Sequence, residues 1–239
     1  MSMKKTCVWN REDIVNIFEQ IKIYYRDSIK IDDFVALKLV AEGAEPFEVL
    51  VGIILSQNTS DRNAYRALLR LKNVLDDVIT PDRILSIDPS VIINAINVAG
   101  LANRRLQSLL ELSRHIKENP KFFNDLKNLS VDDARKALLS IYGIGYKTAD
   151  VFLLMIYKKP TFPIDTHIMR VLKRLGIVHE DMGYEDIRKF ILGVVEHNPE
   201  ELLSLHISLI AHGRMICKAR NPRCSECPIN TKCCRIGVQ

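Results

Sequence analysis

Apolar residues recur along this chain at three- and four-residue steps, and that periodicity predicts helices almost from end to end. From Arg11 to about Tyr25 the stripe is Ile14, Ile17, Phe18, Ile21 and Tyr25, which predicts an amphipathic packing helix. A polar connection with Asp27, Asp32 and Asp33 follows. Pro46 then occupies a first helical position before the run Phe47–Leu55, which is apolar on nearly every side and predicts a central buried helix. Ser56-Gln57-Asn58-Thr59-Ser60-Asp61 interrupts it with a loop, where Ser60 or Asp61 caps a helix over Arg62–Leu71. Thr80-Pro81-Asp82 and Asp88-Pro89-Ser90 open two more helices, and others are predicted over Arg105–Lys117, Val131–Leu139, from near Tyr146, over Ile168–Leu175 and over Glu201–His212. Strand alternation, fixed-period repeats and low-complexity segments do not appear.

Composition agrees with that pattern. A chain of 239 residues, 47% hydrophobic and 26% charged, can bury a core in one or two domains, and its ten glycines, nine prolines and 7% aromatics favour an all-α protein. The start, MSMKKTCVWNREDIV, lacks the apolar centre of a signal peptide, and no run reaches the length of a membrane span, so a soluble intracellular protein is expected. A net charge of +5 argues weakly for a polyanionic partner, but its distribution says more. Residues 206–235 carry six Lys/Arg (Arg214, Lys218, Arg220, Arg223, Lys232, Arg235) against the single Glu226, an excess equal to that of the whole chain.

Candidate chemistry concentrates between Leu138 and His167. Gly143-Ile144-Gly145 joins two predicted helices as a short helix-hairpin-helix would, and the amides at the start of the second helix suit an anionic oxygen such as a DNA phosphate. Lys147 falls in that helix's first turn, where an acid is favoured. It reads either as a phosphate contact or as an amine pushed toward its neutral, nucleophilic state for Schiff-base chemistry. Asp165 is an expected N-cap of the next helix, which would hold its carboxylate ionised and fixed in direction, suited to stabilising a cationic transition state. His167 reads as structural. The amides of Gln57 and Asn58 could enter a partner's hydrogen-bonding face. Leu101 lies in the turn Ala99–Arg105 beside Arg104 and Arg105, where it is either a core contact or a wedge into a base stack flanked by phosphate-binding arginines. Cys217, Cys224, Cys227 and Cys233 form C-x6-C-x2-C-x5-C, spacing that fits an iron–sulfur cluster or a structural zinc better than disulfides, with Cys7 and Cys234 left over.

Taken together these motifs resemble the endonuclease III-type DNA glycosylases of the helix-hairpin-helix superfamily. Gly143-Ile144-Gly145-Tyr146-Lys147-Thr148-Ala149 is similar to the family's hairpin signature, Ile164-Asp165-Thr166-His167 to its aspartate motif, and the cysteine spacing to its [4Fe–4S] loop, in the family's order from about Pro46 to Cys233. The resemblance implies an all-α fold of two helical domains with a DNA-binding groove between them. One is a six-helix barrel with the helix-hairpin-helix over residues 40–159, and the other a cluster domain from 1–39 and 160–239. It implies a monomeric, cytoplasmic, nucleoid-associated base-excision-repair enzyme acting on double-stranded DNA with a damaged base or abasic site, without membrane association. The implied activity is removal of damaged, oxidised pyrimidines, with AP lyase β-elimination through a Schiff base on Lys147 assisted by Asp165. DNA contacts would come from Gln57 or Asn58, Leu101, Gly143, Gly145 and Tyr146, and a [4Fe–4S] cluster would sit on Cys217, Cys224, Cys227 and Cys233. Tyr142, Tyr146 and Asp150 depart from the family's usual proline, arginine and asparagine. Asp150, three residues after Lys147, could pair with its amine and keep it protonated. The alternatives are a mismatch uracil/thymine or adenine glycosylase with little lyase activity, and a non-catalytic iron–sulfur DNA-binding protein.

Overall fold

The computed structural model describes residues 7–238; Met1–Thr6 and Gln239, which the terminal domain was expected to include, lie outside the described residues. Every regular element among the described residues is helical. None of these helices is long and apolar enough to cross a membrane. The chain divides into two units, one of residues 30–159 and one of the described residues before 30 and after 159.

Helix α1 (Arg11–Tyr25) opens the second of these units, started by a capping box in which Asn10 accepts from the Asp13 amide at 2.9 Å and Asp13 from the Asn10 amide at 3.3 Å. The predicted stripe Ile14, Ile17, Phe18, Ile21 and Tyr25 is the face it buries.

Residues 30–159 hold α2 (Val35–Ala41), α3 (Pro46–Ser56), α4 (Asp61–Val74), α5 (Pro81–Ser86), α6 (Pro89–Ile96), α7 (Ala102–Glu118), α8 (Phe122–Asn128), α9 (Val131–Leu139) and α10 (Tyr146–Tyr157). The expected central helix is α3, whose Phe47, Val49, Leu50, Val51, Ile53, Ile54 and Leu55 are all buried. It packs against α2, α4, α7 and α10. Residues 30–39, expected with the termini, group instead with this unit because α2 lies directly on α3. A Cβ on Gly52 would come within 2.5 Å of the end of the Leu39 side chain, so a glycine here lets Leu39 of α2 pack directly on the backbone of α3. Helix starts follow their caps. Ser60, rather than Asp61, caps α4, and Thr80, Asp88 and Ser130 cap α5, α6 and α9, with prolines at the first position of α5 and α6.

The other unit adds α11 (Thr166–Leu175), α12 (Tyr184–Val194) and α13 (Pro199–Met215) to α1. Helix α13 packs on α1 and α11, and two side chains tie the start of the chain to the later helices: Trp9 Nε1 donates to Leu175 O at 3.0 Å and Arg11 Nε to Val194 O at 2.9 Å.

One charged pair is buried where α9 meets α10. Arg135 Nε lies 2.7 Å from Asp150 Oδ1 and Arg135 Nη2 3.3 Å from Oδ2, a bidentate contact. Removing one partner of such a pair strands the other charge out of water. Asp150→Ala is therefore expected to destabilise the protein by about 3–5 kcal/mol, and the joint apolar replacement Arg135→Met with Asp150→Leu to recover most of that loss. Urea denaturation reads both; a loss below about 1 kcal/mol in the single variant would show that the pair does not hold these helices.

Candidate active site and metal centre

The turn between α9 and α10 runs through Gly143 (φ +85). That glycine is required twice, by its left-handed backbone and by the Ser108 side chain of α7, whose Oγ would be 2.0 Å from any Cβ. Ile141 and Ile144 plug the turn into the core, while Tyr142 and Tyr146 stand out on either side, each 48% exposed. Gly145 precedes α10 in extended conformation, offers no side-chain cap and has open space around it. The first amides of α10 therefore have no capping side chain and meet the positive end of the helix dipole, an arrangement suited to a phosphate oxygen. Lys147 stands in this first turn, half-buried, where the sequence places it. Asp150, one turn further on, directs both carboxylate oxygens to Arg135, so a guanidinium meets its charge.

The loop after α3 is built into the same hairpin. Gln57 Nε2 donates to Gly143 O at 3.0 Å and to Thr148 Oγ1 at 3.1 Å. This spends the amide nitrogen inside the unit and leaves the next residue, Asn58, as the exposed tip in a left-handed conformation (φ 52). Leu101 is likewise left-handed (φ 51, ψ 36) and 56% exposed at the start of α7. Its two neighbouring arginines differ from the expected phosphate-binding pair. Arg104 is exposed, but Arg105 is buried at 2% with its guanidinium on backbone carbonyls, so it has no head group to offer a phosphate.

In the other unit, the buried segment Phe162-Pro163-Ile164 leads into α11. His206 Nδ1 lies 3.0 Å from Pro163 O, and the Ile164 amide donates to Tyr184 Oη at 3.3 Å. Asp165 follows as the N-cap, accepting from the Ile168 amide at 2.8 Å, and is half-buried. His167 is packed against Gly213, where a Cβ would sit 2.7 Å from its own, and its Nδ1 lies 3.1 Å from Arg170 Nη2. Burial is the main cause lowering its pKa below the ordinary histidine value. These contacts fit the structural role read from the sequence.

The four cysteines Cys217, Cys224, Cys227 and Cys233 follow α13 as free thiols lining one cavity. Two arginines one turn apart on α11 hold the loop that carries them. Arg170 donates to Cys217 O at 3.0 Å and Gly213 O at 2.8 Å, and Arg174 to Lys218 O at 2.6 Å and Ala219 O at 3.1 Å. Arg174 also points an N–H at Cys217 Sγ at 3.6 Å. Buried His212 places Nε2 3.8 Å from Cys227 Sγ and Nδ1 3.3 Å from Tyr25 Oη. Burial pushes the Cys227 thiol up to about 11 and also raises that of Cys233, so four thiolates here need a compensating cation. A four-thiolate donor set lining a shared cavity fits a cluster of several irons.

Arg170, Arg174 and His212 were not singled out in the sequence, and Arg105 was read there only as a phosphate contact. Arg170 and Arg174 had a usable signal, two cations four residues apart near a helix C-terminus. Arg105 and His212 had none, since their partners are backbone carbonyls and a distant sulfur.

Cys7 and Cys234, the two left over, are joined by a disulfide with Cα atoms 6.1 Å apart, packed beside Gly176 at the end of α11. This bond ties the start of α1's unit to the end of the cysteine loop.

An all-helical chain with a helix-hairpin-helix and a four-cysteine cluster loop defines the iron–sulfur class of DNA-repair glycosylases. The family model described as HhH-GPD superfamily base excision DNA repair protein matches residues 51–197, and that described as iron-sulfur binding domain of endonuclease III matches residues 217–233. Endonuclease III of Sulfolobus acidocaldarius is 39% identical over 224 residues, covering 92% of this chain and 96% of that protein. Among solved structures, a trapped endonuclease III–DNA covalent intermediate superposes with a TM-score of 0.78 at 23% identity, covering 95% of this chain and 96% of that one. A thermostable thymine-DNA glycosylase superposes with a TM-score of 0.68 at 20% identity, covering 93% and 94%. The chain belongs to the endonuclease III family. It is a base-excision-repair DNA glycosylase and AP lyase that binds DNA and carries a [4Fe–4S] cluster.

Purified protein is expected to contain stoichiometric iron and sulfide with broad visible absorbance, and Cys227→Ser to lose both; stoichiometric zinc without iron would overturn the cluster. Cys7→Ser is expected to lower stability by about 2–5 kcal/mol in oxidising buffer and to match the wild type under reducing conditions, because the bridge acts on the unfolded chain. Equal unfolding midpoints in oxidising buffer would show that the bond contributes nothing.

Proposed function

We propose that this enzyme excises oxidised pyrimidines from duplex DNA and then cuts the strand at the resulting abasic site. The observation that carries the reading is Lys147, an amine in the first turn of α10 beside amides suited to a DNA phosphate. The duplex backbone rests on the hairpin at Gly143, Gly145 and Tyr146, and these contacts set position without reading sequence. The damaged nucleotide turns out of the stack, at least cost when its pairing is already weak. Asn58 and Leu101, the two exposed left-handed tips, fill the space it leaves, while Gln57 holds the Asn58 loop to the hairpin.

The neutral amine of Lys147 attacks the sugar C1′, the bond to the base breaks, and the base leaves with the bonding electron pair and takes up a proton. The attached nitrogen loses one proton, and the C1′–O4′ bond then breaks with O4′ taking up a proton, which leaves an iminium on C1′. A proton is then removed from C2′ and the 3′-phosphate departs, which cleaves the strand. The Asp165 carboxylate, fixed in direction as an N-cap, stabilises positive charge on the sugar as the base departs. Cys217, Cys224, Cys227 and Cys233 are the four cluster ligands, and the protein works as a monomer in the cytoplasm, where the DNA is. The cluster is structural in this scheme, and no step passes through it.

Borohydride is expected to trap the wild-type protein covalently on abasic-site DNA, and Lys147→Ala to abolish trapping while the variant keeps its fold and visible absorbance. Equal trapping by both would sink the assignment of Lys147 as nucleophile.

A further inference from the structure

The Arg105 guanidinium is buried, and among the described residues it meets no carboxylate. It spends its N–H groups on four backbone carbonyls from two loops. Nη1 donates to Ile54 O at 2.6 Å and Nη2 to Gln57 O, both at the end of α3. Nε donates to Gly100 O at 2.7 Å and Nη2 also to Ala99 O at 3.1 Å, both at the turn before α7. Each loop ends one residue later in an exposed side chain on a left-handed backbone, Asn58 (φ 52) after Gln57 and Leu101 (φ 51) after Gly100. Gly100 itself has φ 74 and ψ 171, a region open essentially to glycine alone.

Core filling does not account for this arginine. An apolar side chain of similar volume would cover the same space without desolvating a charge. Lysine would supply the charge but not the planar fork that reaches four carbonyls in divergent directions. The burial and the acceptor set together require a group that ties two separate loops to one rigid point on α7. Strained backbone at two adjacent tips persists only where the surroundings over-determine it, and such strain gathers at sites that clamp a ligand.

We propose that Arg105 is a positioning residue for base eversion, a strut that fixes the separation of Asn58 and Leu101 so that the duplex meets two preset wedges. This rests on the reading of those two side chains as gap fillers. Preset wedges carry their ordering cost in the folded protein, not in the DNA complex. The strut matters most where a base must be unstacked and unpaired, and least where the base is already missing.

The test uses the intact iron-loaded enzyme with Arg105→Lys, and with Gly100→Ala as a second variant that is exposed, has open space for its Cβ and disturbs the same carbonyl by backbone strain. Single-turnover excision of an oxidised pyrimidine is expected to fall about 10-fold or more in either variant, while cleavage at a preformed abasic site changes by less than about 3-fold. Amide exchange in the free protein is expected to accelerate at residues 56–60 and 99–102 and not in α10. Equal losses on both substrates, or unchanged exchange in the two loops, would overturn the strut. Should the wild type excise no oxidised pyrimidine, the substrate reading falls instead, and the exchange measurement alone decides whether Arg105 holds the loops.

Discussion

The ion pair between Arg135 and Asp150 is the constraint on which the hairpin depends. It joins the middle of α9 to the start of α10 through two parallel contacts, so the angle between these helices is set by the geometry of a guanidinium against a carboxylate. Two apolar side chains would hold the helices together at least as firmly, without desolvating two charges, but they would not dictate direction. Two further elements meet the same turn. Ser108 of α7 fills the space a Cβ at Gly143 would need, and Gln57 at the end of α3 reaches Gly143 O and Thr148 Oγ1. Lys147 lies between Tyr146 and Thr148, on backbone that α3, α7 and α9 hold together. A nucleophile that must meet one carbon atom, the role proposed for Lys147, gains from such fixation, since small errors of placement are costly in rate.

Cations in this protein do more internal work than their number implies. Arg105, Arg170 and Arg174 each donate to several backbone carbonyls, Arg105 at the two loop tips and the other two at the cysteine loop. Arg135 and Arg188 are buried beside Asp150 and Glu185. These groups are not available to phosphates, so the net charge of the chain is a poor guide to its electrostatic attraction for DNA. In all three carbonyl-binding cases the planar fork clamps irregular backbone, which has no regular hydrogen-bond ladder of its own.

What could be read in the sequence follows from where the information lies. Helices α1 and α9 were legible to the residue because Asn10 and Ser130 cap them and their apolar stripes are regular, and α5 and α6 announced themselves by Thr80-Pro81 and Asp88-Pro89. Helices α2, α8 and α12 escaped notice. Their first positions follow Phe34, Lys121 and Gly183, none of which supplies a side-chain cap, and α2 and α8 have seven residues each, too few to show a period. At the site, Lys147 and the four cysteines stand out because their spacing is itself chemical information. The choice between Gln57 and Asn58 could not be made, since it turns on which side chain the hairpin carbonyl at Gly143 engages. Arg105 was legible only as a charge, and the disulfide partners lie 227 residues apart.

Asp165 shows how a residue can satisfy a structural rule and still carry something that rule does not require. Its carboxylate accepts from the Ile168 amide and starts α11, which accounts for an oxygen acceptor at that position. Capping does not account for the charge, because asparagine and serine cap about as well as aspartate. The helix it starts is the one whose Arg170 and Arg174 grip the cysteine loop, so the direction of the carboxylate is coupled to the integrity of the cluster through a single rigid element. In the proposed scheme the cluster thereby acquires a reason to lie where it does: it anchors the helix that holds the Asp165 carboxylate in place.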